Sequence, residues 1–337
     1  MIKVYVTHPR NKLDHYFGAR ATAAIAAIAE VQFNSEDREL DQLELIAAAK
    51  DHDFIIAYRQ TAAPESLFAQ LPKLAAFVRC AIDIRTVDVA AASRYGVLVT
   101  QASAGFSAAV SEWIIGAMID LSRDISLTTA AYHAGGKPMI RMGRELRGAT
   151  VGIIGYGQIS RYFCGLALAF GCRVLVCDPH AKIIDDSRLQ QVDLSQLLRE
   201  SDHVVCLAIA NEQTENLMNA ERFAAMKPGA FFINASRGNL VNDDALLAAL
   251  DRGHLAGCAV DVGRAPDQMP TLKVALHPLV IASPHIGGLT PGAIEHQAME
   301  TVSQIESIMR GEIPLGAVNA ADAFRVRKFS PTNRVID

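Results

Sequence analysis

"TVGIIGYGQIS", residues 150–160, decides the fold. Thr150–Gly155 is apolar and β-branched and reads as a strand. Gly155 and Gly157 interrupt it, and helical spacing follows over Gln158–Phe170. In a strand–glycine–helix unit one glycine makes the tight turn, and a second lets backbone approach a pyrophosphate. The helix start, here Gln158 and Ile159, then turns unused N–H groups toward the phosphates. Ser160 stands where a third glycine would give close helix–strand packing. By itself such a motif is also common in purely structural turns. A second strand, "RVLVC" (173–177), adds to it by ending in Asp178 and Pro179, with the acid 23 positions beyond Gly155. A carboxylate at about 20 positions suits a ribose 2′-hydroxyl and repels a 2′-phosphate, so NAD is expected rather than NADP.

Working outward, short apolar runs alternate with helical spacing along most of the chain. Strands are expected at Lys3–Thr7, Phe54–Ala57, Ala76–Cys80, Val97–Thr100, His203–Ala208, Ala230–Asn234, Gly257–Val262 and Val280–Ala282. Helices are expected at Leu43–Lys50, Ser107–Arg123, Leu194–Arg199, Asn219–Met226 and Asp243–Arg252, and over the Ala-rich stretch 19–29. Continuous apolar strands alternating with helices imply parallel sheets covered on both faces, an α/β protein. A Gly-rich, basic excursion from Tyr132 to Gly148 precedes the glycine motif, and the polar last ~20 residues are expected to be partly loose.

The 337 residues suggest two domains, at roughly 100–200 residues each. A net charge of -4 argues against nucleic acid as a partner, since phosphate binding needs a basic excess. No run approaches about 20 apolar residues, so no membrane partner is expected. The six cysteines show neither a CxxC pair nor Cys/His ligand spacing, so no metal site and no disulfide framework are expected. A reducing cytoplasm is the simplest compartment.

Three later strand ends carry polar groups: "FFINASRGNLV" with Arg237, "AVDVGRAPDQMP" with Asp261 and Asp267, and "VIASPHIGGLTP" with His285. Ligands of open parallel sheets bind at the carboxyl ends of strands, so these groups can converge on one crevice. The pieces "GIIGYGQIS", "CDP", "MKPGAFFINASRGNLVNDDALLAAL", "GCAVDV" and "SPHIGG" together resemble the D-isomer-specific 2-hydroxyacid dehydrogenase family over nearly the full length. The resemblance implies a Rossmann-type NAD-binding domain (102–284) inserted in a flavodoxin-like substrate domain (1–101 and 285–337). It also implies a homodimer with helix Ser107–Arg123 at the interface, and interconversion of a 2-keto acid and a D-2-hydroxy acid.

The residue types fit that chemistry. Arg237 has the planar fork that binds carboxylate and carbonyl oxygens. His285 can give a proton to the alkoxide formed on reduction and remove it in reverse. A carboxylate beside it would hold the imidazole in position. In the resembled family that acid is a glutamate, and counting without a gap from Asp261 places it on Pro266. Asp267 takes the role if the loop carries one extra residue. The alternatives are a turn residue, or no carboxylate at all, as in a formate-dehydrogenase-like branch where Gln268 would supply an amide. On the cofactor side the resemblance adds Val110, Ala208, Ile209, Ala210, Thr214, Ala235, Ser236, Asp261 and Gly287 to Arg237 and His285. On the substrate side "YRQ" (58–60) and "RCAIDI" (79–84) offer Arg59, Ile82 and Asp83 beside Arg237 and His285. The family's glycines in the second loop are replaced by Ala81 and Asp83, so Asp83 must point away from an anionic substrate or meet a cation. A different class, an NAD-sensing binding protein on the same scaffold, keeps the cofactor site and makes turnover incidental.

Overall fold

A computed structural model describes residues 2–183 and 188–329. The chain forms two compact units, Phe106–Thr290 inserted in Met1–Gly105 with Pro291–Asp337.

The first unit has a five-stranded sheet of β1 (Lys3–Val6), β2 (Glu30–Phe33), β3 (Phe54–Ala57), β4 (Ala76–Arg79) and β5 (Leu98–Gln101). All pairings are parallel, in the flavodoxin-like order β2-β1-β3-β4-β5. Successive residues of one strand enter opposite cores. Phe54 and Ile56 join helices Gly18–Ile28 and Pro291–Met309, while Ile55 and Ala57 face helices Gln42–Ala49 and Glu65–Gln70. Every residue of β3 is therefore buried, which is why its sequence is apolar without alternation. Asp41 caps Gln42–Ala49 with a reciprocal capping box to Glu44.

The second unit has seven strands: β6 (Thr150–Ile154), β7 (Arg173–Cys177), β8 (Leu189–Gln191), β9 (His203–Cys206), β10 (Ala230–Asn234), β11 (Leu255–Val260) and β12 (Val280–Ala282). They are parallel, in the order β12-β11-β10-β9-β6-β7-β8, the doubly wound Rossmann-type arrangement with one added edge strand. Val205 and Ile233 pack toward helices Ser107–Arg123 and Gln158–Ala169. Val204 and Phe232 pack toward helices Leu194–Glu200, Ala220–Ala225 and Asp243–Asp251. The direction reverses between β6 and β9, so the crevice for a ligand opens at their carboxyl ends.

Three features differ from the sequence expectation. Strands β2 and β8 have no continuous apolar run, because β2 alternates exposed and half-buried residues and β8 is only half-buried. Helix Pro291–Met309 buries Thr301 and Gln304 along with its aliphatic residues, which blurs its period. The chain end up to Phe329 is packed. Asn319 accepts from the Val99 amide at 2.8 Å, Arg325 donates to the Leu71 carbonyl at 2.7 Å, and Phe329 lies on Phe54. Residues 330–337 of that expected loose tail lie outside the described residues. The excursion is helical to His133 and without regular structure over 134–148, with Ile140 and Met142 both 99% exposed. Among the described residues no helix is long and apolar enough to cross a membrane.

Candidate active site

The glycine turn is built by close approach. Gly155 has φ +96°, and a Cβ on it would lie 2.8 Å from the Ala208 backbone. A side chain there would wedge β6 away from β9. A Cβ on Gly157 would meet nothing within 4 Å, so that side is open for a ligand. Gly157 begins helix Gln158–Ala169 with no side-chain cap, which leaves the first-turn N–H groups of Gln158 and Ile159 for an anion. Ser160 is 1% exposed. Its small size is tolerated where helix Ser107–Arg123 crosses, with Ser111 Oγ 3.4 Å from the Ile159 carbonyl.

Asp178 faces this turn. Its carboxylate accepts from the amides of Tyr156 at 2.7 Å, His180 at 2.8 Å and Ala181 at 3.2 Å. Burial pushes this carboxyl up, but the His180, Tyr156 and Ala181 amides and the nearby His180 charge outweigh it, so the group sits below its ordinary range. Three of about four acceptor positions are used, which leaves one for a ribose hydroxyl. Pro179 follows, exposed.

Across the crevice, Ser236 Oγ donates to the Ala208 carbonyl at 2.6 Å, which ties the ends of β10 and β9. Ile209 is 80% exposed, and Thr214 Oγ1 donates to its carbonyl at 2.7 Å, closing the 209–214 loop around Ala210. Asn234, 1% exposed, shapes the next turn by donating to the Arg237 carbonyl at 3.0 Å and accepting from the Ser236 amide at 3.2 Å. Ala235 is buried between them. Arg237 Nη1 donates to the Ser236 carbonyl at 2.7 Å. A Cβ on Gly238 would lie 2.1 Å from the Gly263 backbone, so the arginine turn is pressed against the loop that follows Asp261.

Asp261, 4% exposed, is a clamp on the histidine turn. Its Oδ1 accepts from Ser283 Oγ at 2.6 Å and the Ile286 amide at 2.8 Å, and its Oδ2 accepts from the Gly287 amide at 2.8 Å. Its carbonyl accepts from the His285 amide at 2.9 Å. Gly287 allows this, because a Cβ there would sit 2.8 Å from Oδ2. The same position is 3.6 Å from the ring of Trp113, and Val110 lies 3.6 Å from the corresponding position on Gly288.

His285 has φ 56°, and its Nδ1 lies 2.8 Å from the main-chain oxygen of Asp267. A carbonyl only accepts, so Nδ1 carries the proton and Nε2 is left to exchange one with a ligand. The sequence reading puts the Asp267 carboxylate against the imidazole, whereas the hydrogen bond observed between the two residues comes from the backbone. Asp267 and Gln268 both adopt positive φ, and the Gly263 amide donates to the Gln268 carbonyl at 2.7 Å to close the loop. That double left-handed turn aims the Asp267 carbonyl at the ring.

In the first unit, Arg59 lies over the Tyr16 ring at 5.1 Å, and Ile82 is half-buried. Asp83 meets a cation, Arg85, at 2.6 Å. Sequence reasoning passed over Ser283, Trp113 and Arg161. The first sits two positions before His285, and Arg161 lies 4.9 Å over Tyr156 in the first turn after the glycines. It also passed over Arg264, which joins Glu215, Asn216, Asn239 and Val241.

The glycine cradle, the open helix start and the acid beyond the second strand fit a dinucleotide. Residues 115–287 match the model of the D-isomer specific 2-hydroxyacid dehydrogenase, NAD binding domain. This chain belongs to the D-isomer-specific 2-hydroxyacid dehydrogenase family. It is 34% identical to the D-3-phosphoglycerate dehydrogenase of Escherichia coli, over 83% of this chain and 70% of that one. It is 28% identical to the D-3-phosphoglycerate dehydrogenase of Methanocaldococcus jannaschii, over 95% of this chain and 60% of that one. The chain thus spans less than two thirds of the length of this second relative. The crystal structure of the TT0316 protein from Thermus thermophilus superposes with a TM-score of 0.82 at 26% identity, over 94% of this chain and 100% of that one. NAD is accordingly the cofactor of the inserted unit.

Proposed function

We propose that the protein is an NAD-dependent dehydrogenase that interconverts a small 2-keto acid and a D-2-hydroxy acid. The observation that carries this reading is the turn at His285. Asp261 fixes its backbone, the Asp267 carbonyl fixes its tautomer, and Nε2 is the nitrogen left for proton exchange. NADH held at the Gly155–Gly157 turn and Asp178 would supply the hydride for reduction of the carbonyl. Arg237 anchors the carboxylate and polarises the carbonyl oxygen, as its planar fork allows. His285 delivers a proton from Nε2 to the oxygen as negative charge develops there, and takes it back in the oxidative direction. Asp267 supports His285 through its carbonyl, which accepts from Nδ1–H whether the ring is neutral or protonated.

Asp178 selects NADH by its charge, and Gly155, Gly157 and the helix start at Gln158 bind the pyrophosphate. Arg59, Ile82 and Asp83 belong to the substrate side, with Arg85 neutralising Asp83. A cytoplasmic homodimer is part of the same reading, and size-exclusion chromatography with light scattering tests the dimer. The test of the reaction is NADH oxidation with glyoxylate, pyruvate, hydroxypyruvate and phenylpyruvate, followed by chiral chromatography of the product. A D-configured product (or glycolate from glyoxylate) supports the reading, and an L-product contradicts it.

A further inference from the structure

Arg264 stands near the base of the loop that leaves β11 and turns at Asp267 to face His285. Its guanidinium reaches out of that loop. Nε donates to the Val241 carbonyl at 3.2 Å. Nη2 is shared by Glu215 Oε1 and Asn216 Oδ1, both at 2.8 Å, and by the carbonyls of Asn239 at 3.0 Å and Val241 at 3.1 Å. Asn239 and Val241 lie in the turn that follows β10 and carries Arg237. Glu215 and Asn216 end the loop that follows β9 and carries Ile209, Ala210 and Thr214. Strands β11, β10 and β9 are neighbours in the sheet. One side chain from the first therefore straps the carboxyl ends of all three, where ligands of such sheets bind.

Stability alone does not account for this arrangement. The Arg264 and Glu215 side chains are 36% and 40% exposed, and ion pairs open to water contribute little. A guanidinium does hold its donors in fixed directions, so oxygens from several segments fix one another's places around it. These segments need such a tie. Asn216, Asp267 and Gln268 have φ of 52°, 56° and 59°, left-handed values that persist only when the surroundings hold them. The Gly263 amide donates to the Gln268 carbonyl at 2.7 Å, and the Ala265 amide to the Met269 carbonyl at 2.9 Å. Those bonds close the loop on itself. Arg264 adds the polar tie to its neighbours, three residues before the carbonyl that meets His285 Nδ1.

We infer that Arg264 is a positioning residue for the reaction. It holds the Asp267 carbonyl on His285 Nδ1 by binding that loop to the Arg237 turn and to the cofactor-side loop. It acts through the Asp267 carbonyl, and so through the tautomer of His285. The inference rests on the dehydrogenase reading above, in which His285 Nε2 exchanges the proton.

The test compares wild type with Arg264→Met and Arg264→Lys. Kinetics are measured with the best 2-keto acid, and imidazole nitrogen NMR of histidine-labelled protein in alkaline buffer reads the tautomer, with His285→Ala assigning the signal. Wild type should show His285 protonated at Nδ1. Arg264→Met should lose about tenfold or more in kcat, with the KM for the 2-keto acid and the NADH affinity within about threefold. Its His285 signal should move toward the form protonated at Nε2. Arg264→Lys keeps the charge but loses the fork, so it should show the same changes to a smaller degree. A folded Arg264→Met that melts lower but keeps the wild-type kcat and tautomer signal has lost only structure, and overturns the proposal. If Arg264→Met does not fold, a wild-type kcat and signal in Arg264→Lys overturn it. If wild type turns over no 2-keto acid, the reaction reading fails, and the tautomer signal alone decides this one.

Discussion

His285 Nδ1 donates to the main-chain oxygen of Asp267 at 2.8 Å, so the orienting group of this imidazole is a peptide carbonyl in a left-handed turn. A peptide oxygen survives substitution of the side chain that follows it, whereas a carboxylate does not. Asp267→Asn, which tolerates positive φ, is therefore expected to keep the Nδ1 contact. Its turnover should remain at least tenfold above that of His285→Ala. Steady-state kinetics of both variants check this, and equal losses would show that the carboxylate is required.

The clamp between Asp261 and the histidine turn makes a second prediction. Gly287→Ala places a Cβ 2.8 Å from Asp261 Oδ2 and must displace either the carboxylate or the turn. Overpacking of this kind costs about 1–3 kcal/mol. Urea unfolding should show that loss, with turnover falling at least a hundredfold because His285 moves with the turn. Ser283→Ala removes one bond to the buried carboxylate and should lose about 1.5–3 kcal/mol.

The cofactor side makes a third. Asp178→Ala removes both the negative charge and the acceptor for the Tyr156 amide. NADH should bind at least tenfold more weakly, and the preference for NADH over NADPH should shrink. Titration of Trp113 fluorescence reads both, since this single tryptophan sits against the Gly287 turn. An unchanged NADH/NADPH ratio would remove Asp178 from the ribose site.

Stability should depend on pH through His203. It is 1% exposed, stacks on Phe231 and bonds Ser122 Oγ at 3.1 Å. Burial lowers it to about 4, against a raising effect of Asp202 and a further lowering by Arg144. The unfolded chain thus binds a proton that the fold rejects. This contribution is complete above pH ~6.5 and is lost as pH falls toward about 4, on the order of 3 kcal/mol in all. Urea unfolding across that window should be flatter for His203→Gln, and parallel curves would count against it.

How far the sequence carries is set by burial. The runs "FIIA" and "AFFIN" are buried throughout, and their continuous apolarity marks central strands. The edge strand "EVQF" alternates exposed and half-buried residues and has no continuous apolar run to mark it. Helix Pro291–Met309 hides because Gln304, though polar, is buried, with its amide donating to the Gln101 and Leu315 carbonyls. In the site, residue types and strand-end placement mark Arg237, Asp261 and His285. The contacts that fix the Asp261 and His285 turns are not legible, because main-chain groups make most of them. Asp261 bonding the amides of residues 286 and 287, and the Asp267 carbonyl meeting His285, depend on local φ values that no residue type announces.

The most direct measurement follows NADH oxidation by wild type and His285→Ala with the same panel of 2-keto acids, while Trp113 fluorescence reports NADH binding to each. Wild type should turn over at least one 2-keto acid. His285→Ala should lose about 10²–10⁴-fold in turnover, with NADH affinity within about threefold. Tight NADH binding by wild type with no turnover across the panel, or a His285→Ala variant that reduces the 2-keto acid at the wild-type rate, would contradict it.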